Sequence, residues 1–173
     1  CCTACTSVSS RLGVNIQWGY GGIAVSTGGD QMSPALTSDG AGGAIITWTE
    51  LPMSSDIKAQ RITMGGGKPW GSSGITICNA SGTRSAPAIV GDGAGGAVIA
   101  WQDGRGGNAS ADIYAQRVNA AGVVQWTPGG VAVVNAAGNQ LTPVMNGEGN
   151  GGSVIVWTDN RDVRAPLDGD WTN

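Results

Sequence analysis

The stretch Asp92-Gly93-Ala94-Gly95-Gly96-Ala97-Val98-Ile99-Ala100-Trp101, followed after a loop by Asp112-Ile113-Tyr114-Ala115-Gln116-Arg117-Val118, decides the fold of this chain. Its first five residues read as a turn, because glycine permits positive φ and aspartate bonds the backbone two residues on. The apolar run 97–101 is too short for a helix and reads as a strand covered on both faces. The segment 112–118 is more polar and alternates, so it is expected as the outer, half-solvated strand of its sheet.

Both segments recur upstream, as Asp39-Gly40-Ala41-Gly42-Gly43 leading to Trp48 and as residues 56–62, Asp-Ile-Lys-Ala-Gln-Arg-Ile. Downstream the turn becomes Glu148-Gly149-Asn150-Gly151-Gly152 and leads to Trp157. Pro34, Pro87 and Pro143 precede the turns in register, and Trp18, Trp70 and Trp126 open the copies. The offset is 52 to 53 residues between copies one and two and 56 between copies two and three. A period of this size marks a repeat architecture, in which each copy stacks on a neighbour to bury its face.

Four strands fit each copy. The first covers residues 22–26, 74–78 and 130–134. The second starts at the register proline, which lacks a donor and suits a strand's first residue. The third is the apolar run 44–48, 97–101 and 153–157. The fourth is 56–62 and 112–118, after a loop of eight residues from Trp48 and eleven from Trp101. The expected fold is all-β: three tandem four-stranded antiparallel repeats, β-propeller-like, since such a unit is a propeller blade. Residues 1–16 form a Cys-rich arm and strand, 17–68, 69–124 and 125–173 the repeats, the last with an incomplete fourth strand.

The motif W-x-D-x-R-x-G, here Trp101, Asp103 and Arg105, ahead of Asp112–Val118 and behind D-G-A-G-G-A, resembles the repeats of secreted bacterial β-propeller-like proteins. The resemblance covers nearly the whole chain. Copy one departs from it, with Glu50 and Leu51-Pro52 where Asp103 and Gly104-Arg105 stand. It implies an architecture and no activity, because propellers host binding, catalytic and structural roles alike.

Composition narrows the function. The seven Trp and two Tyr are the only aromatics, and there is no His, so neither a His-based triad nor a His metal site is available. The net charge is −3 with scattered cations, which lacks the basic stripe of a nucleic-acid binder. No apolar stretch approaches the ~18 residues of a membrane span. Acidic residues mostly recur by repeat, the mark of a structural role. Asp39 and Asp92 are one carboxylate per turn, thin for calcium, which takes ~6–8 oxygens. Asp103, Asp159, Asp162, Asp168 and Asp170 make a denser acidic patch in the loops. Tyr20 and Tyr114 have no visible catalytic partners. The expectation is a protein with no catalytic activity, no cofactor and no metal.

The chain begins with Cys, as after removal of a signal peptide or as a piece of something longer. Cys1, Cys2 and Cys5 crowd that end, and Cys78 stands alone in copy two, at the slot of Ser26 and Val134. In an acidic repeat chain they read as disulfide candidates and point to an extracellular or cell-surface setting. Cys78 is expected to bond one of the N-terminal three. Asn79-Ala80-Ser81 and Asn108-Ala109-Ser110 are glycosylation sequons in loops.

Copy three ends without a D-I-x-A-Q-R-V strand, whereas the N-terminus holds a spare one. Ser7, Val8, Ser9, Ser10, Arg11 and Leu12 precede Trp18 much as Gln60-Arg61-Ile62 precedes Trp70. Two closures fit: residues 6–12 pair with the same chain's third repeat and seal a small ring, or, as expected, they complete the neighbour's third repeat in a structural subunit whose partners are copies of itself, polymerising head to tail. The alternatives are a monomeric carbohydrate-binding module, with Trp171 as a surface contact for glycans, and a fragment of a longer surface repeat array.

Overall fold

The computed structural model describes residues 22–51, 55–107, 110–148 and 151–161. Among these residues the chain is all-β, with ten strands, no helix and every strand pairing antiparallel. The first sheet runs β1 (Asp30–Ser38), β2 (Ala44–Leu51), β3 (Asp56–Ile62) and β4 (Ile75–Cys78), in that spatial order. The second repeats it as β5 (Arg84–Gly91), β6 (Ala97–Asp103), β7 (Asp112–Val118) and β8 (Val131–Val134). The third holds β9 (Gln140–Gly147) and β10 (Ser153–Asp159). Among the described residues the sheets are therefore of four, four and two strands, so two sets of four are complete and a third is not shown.

The glycine-rich turns join β1 to β2, β5 to β6 and β9 to β10. In the second, one Asp92 oxygen accepts the amides of Ala94 at 2.8 Å and Gly96 at 2.9 Å. Gly93 and Gly95 take φ of 74° and 81°, which a side chain rarely adopts. Gly96 is required for space instead, since a Cβ there would overlap the Val118 carbonyl oxygen. Asp39 makes the same two bonds to Ala41 and Gly43 in the first sheet.

Three expectations are corrected. The segments 56–62 and 112–118 are not the outer strands: β3 and β7 are interior, and the sheet edges on that side are β4 and β8, which belong by sequence to the following repeat. Their polar residues are satisfied inside the protein. Gln60 and Gln116 are fully buried, donating to the Gly71 carbonyl at 2.5 Å and the Thr127 carbonyl at 3.0 Å. Arg61 and Arg117 reach back to the turn carboxylates of Asp39 and Asp92, each at 3.0 Å or less through Nη2.

The register prolines do not begin strands either. Pro34, Pro87 and Pro143 sit inside β1, β5 and β9, where the pairing register shifts. A bulge excuses the missing donor. The residue before each proline, Ser33, Ala86 or Thr142, holds φ of 48–50°, so the same strained backbone recurs three times. Finally, residues 22–26 are not a strand. Their repeat equivalents β4 and β8 exist as strands by pairing with β3 and β7, and no such partner for 22–26 is among the described residues.

The sheets stack face to face, with β1 beside β5 and β5 beside β9. Ile45, Ile57, Ala59 and Ile77 of the first sheet pack with Ile99 and Trp101 of the second. Ala100, Ile113 and Ala115 of the second sheet then meet Met145, Ile155 and Trp157 of the third. As the repeat implies, Trp48 and Trp101 are buried, and Trp157 is half-buried at the same register.

Candidate functional site

The W-x-D-x-R motif proves to be a clasp at the end of β6 and β10. Trp101 Nε1 donates to Asp103 Oδ2 at 2.7 Å, and Arg105 grips both Asp103 oxygens, at 2.9 Å from Nε and 2.6 Å from Nη2. The same guanidinium donates to the Gly129 carbonyl at 2.7 Å and contacts Cys78 Sγ at 3.3 Å, tying the second sheet to the edge of the first. It also lies 3.8 Å from the ring centre of Tyr114, a cation–π contact. Sequence reading used Arg105 only as part of a motif; its bridging role has no signature in the spacing.

Trp157, Asp159 and Arg161 repeat the clasp in the third sheet. Copy one breaks it. Glu50 is one methylene longer than Asp103, and one of its oxygens takes Lys58 at 2.7 Å. Its other oxygen and Trp48 Nε1 are buried without hydrogen-bond partners. A second unforeseen residue is Arg84, fully buried at the start of β5. It donates from Nε to the Ser55 carbonyl at 2.9 Å, from Nη1 to the Ala80 carbonyl, and pairs with Asp56 at 3.5 Å. Gln140 holds that register in the third sheet, where its amide bonds the Ala111 carbonyl at 2.6 Å.

These carboxylates are committed to structure. Burial pushes the Asp92 and Asp103 pKa upward, but their amide, Trp and Arg donors outweigh it and hold both below the ordinary 3.8. Asp39 behaves likewise through Ala41, Gly43 and Arg61. Arg161 lowers Asp159 in the same direction. A depressed folded pKa contributes stability that is complete above the unfolded value and lost as pH falls through the folded one. With no His in the chain, unfolding free energy is expected to stay level from neutral pH to about 5 and to fall below that. Urea titrations at successive pH values check this; stability rising on acidification contradicts it.

A groove of about 380 Å³ lies between the turns, lined by Thr37, Asp39, Val90, Gly91, Gly95 and Gly147 among others. Its one carboxylate is spent on the Ala41 and Gly43 amides and on Arg61, leaving mostly backbone on its walls.

The surface that stands out is the open side of the third sheet. Among the described residues β10 pairs only with β9. Beside that edge, the second sheet is uncovered where the first is covered. Ile77 and Trp70 are 3% and 6% exposed, and their repeat equivalents Val133 and Trp126 are 37% and 38% exposed. Trp70 owes its burial to the loop after β7, donating from Nε1 to the Ala120 carbonyl at 3.1 Å and lying against Gly122. The matching loop of the third sheet would follow a strand beside β10.

Of the sequence-predicted residues, Asn79 is exposed in the loop after β4, and Cys78 is buried at the end of β4 with its thiol pKa pushed up by burial. Cys78 has no disulfide partner among the described residues. Ser7, Val8, Ser9, Ser10, Arg11, Leu12, Cys1, Cys2, Cys5, Asn108 and Trp171 lie outside the described residues. Among those described, no three His, Cys, Asp or Glu side chains group to hold a metal, and no helix is long and apolar enough to cross a membrane. Compared with protein-family models, curated proteins and solved structures, the chain gives no match.

Proposed function

We propose that this chain is a non-catalytic, extracellular structural subunit that assembles head to tail into a fibre, the N-terminal strand of one copy adding to the third sheet of the next. One observation carries the reading: among the described residues β10 has a free edge, and Val133 and Trp126 are bare beside it while Ile77 and Trp70 are covered. The strand count agrees. The third sheet holds the first two strands of a set of four. Residues 6–12 and 22–26 match β3 and β4, the two that would complete it. Strand addition at an edge supplies backbone hydrogen bonds and removes an aggregation-prone template. A contact that uses different surfaces on each copy propagates unless its rotation closes.

A longer array of the same repeats is the second reading. The phase of the sheets favours it, since β4 and β8 each come from the repeat that follows. Deleting residues 1–12 separates the two. On the proposed reading the full chain forms filaments visible by negative stain, and the truncated chain forms none and sediments as a single species. Filaments from the truncated chain contradict strand donation.

A further inference from the structure

Each sheet has two faces, fixed by alternation along its central strand. Ile46 with Trp48, Ile99 with Trp101, and Ile155 with Trp157 face the preceding sheet; Ile45, Val98 and Val154, with Thr47, Ala100 and Val156, face the following one. In the first two sheets the following face is closed: Ile45, Thr47 and Ala100 are 0% exposed and Val98 is 3%. In the third sheet it is bare, with Val144 at 61%, Val154 at 49% and Val156 at 57%. These valines are not scattered. Val156 pairs with Val144 across β9 and β10, and Val154 is two residues along the same face.

The opposite end of the stack is bare in a matching way. Leu36 holds the register of Ile89 and Met145, which pack on the sheets before them, yet Leu36 is 61% exposed. Pro34 is exposed where Pro87 and Pro143 are buried. Around it the preceding face of the first sheet is already prepared. Val25 packs on Ile46, Trp48 and Ile62, the position that Ile77, seven residues after its own repeat Trp, holds against Ile99 and Trp101. Residues 22–26 thus lie where the fourth strand of a preceding sheet would lie, although no such sheet is among the described residues.

We infer that the bare face of the third sheet, Val144, Val154 and Val156, seats the first sheet of a second copy of this chain, through its Pro34 and Leu36. This rests on the proposed head-to-tail reading and supplies the second contact of the same junction. The neighbour's residues 6–12 extend β10 edgewise, its residues 22–26 lie outside them, and its β1–β2 stacks on β9–β10. The contact continues the interface already made twice within the chain, by the same registers. The five side chains are all uncharged, so burial of apolar surface drives it and salt does not weaken it.

Two measurements test this on the full chain. The double variant Val154→Lys/Val156→Lys places two charges in the contact and leaves the surface-exposed positions free to remain solvated. Its expected dissociation constant, by sedimentation, is at least about tenfold higher than that of the unmodified chain, a loss of about 1.4 kcal/mol. Its far-ultraviolet spectrum and melting temperature are expected to be unchanged. Separately, a Leu36→Cys preparation mixed with a Val156→Cys preparation is expected to give a covalent dimer under mild oxidation, above what either gives alone. Unchanged association of the lysine variant, or no excess crosslink in the mixture, overturns the inference. If the 1–12 deletion still disperses the assembly in that case, strand donation stands without face stacking. A full-length chain that never associates removes both.

Discussion

Replacing Asp103 with alanine is expected to lower the unfolding free energy by about 3 kcal/mol, the lower end for breaking a buried pair, because Arg105 keeps some contact with water. Asp103 is fully buried and accepts four bonds, from Trp101 Nε1, the Arg105 amide, Arg105 Nε and Arg105 Nη2. Removing it leaves an indole N–H in the core and a guanidinium held only by the Gly129 carbonyl, Cys78 Sγ and the Tyr114 ring. Orphaned donors cost more than the net worth of the bonds they made. Asp103→Asn keeps an acceptor and is expected to cost less. Urea unfolding measures both, and an alanine variant within about 0.5 kcal/mol of the parent, the range of ordinary surface changes, refutes the clasp.

The second large effect is expected from Trp101→Ala, at about 3–5 kcal/mol for loss of a fully buried aromatic ring. Its ring meets Ile45 and Ile99 in the core and lies so close to Gly130 that a Cβ there would sit 2.6 Å from Cη2. Trp126→Ala is the informative contrast. That ring is substantially exposed in a single copy, so its loss is expected to shift stability by no more than about 0.5 kcal/mol and to weaken association instead. Equal destabilisation by the two substitutions contradicts the assignment of Trp101 to the core and Trp126 to the junction.

Much of this fold is written plainly in the chain. The apolar runs ending at Trp48, Trp101 and Trp157 became β2, β6 and β10, and the D-G-A-G-G turns were placed correctly. What was illegible was which strand neighbours which. Gln60, Arg61, Gln116 and Arg117 look like solvated positions, and the burial of the two glutamines and the ion pairs of the two arginines depend on carbonyls and carboxylates brought close only by tertiary structure. The proline registers were visible, but a bulge with positive φ before each proline is a property of pairing that composition does not report. The bare strip at Val133 and Trp126 was equally hidden. Both residues match their equivalents in type, and the difference lies in what stands next to them.

The central claim is that this chain completes itself with another copy, and static light scattering of the full chain over a concentration series tests it most directly. The account predicts a mass that climbs above one 17.3 kDa chain as concentration rises. It also predicts a return to that single-chain mass when residues 1–12 are removed. A full-length chain that keeps the mass of one copy at its highest soluble concentration would contradict it.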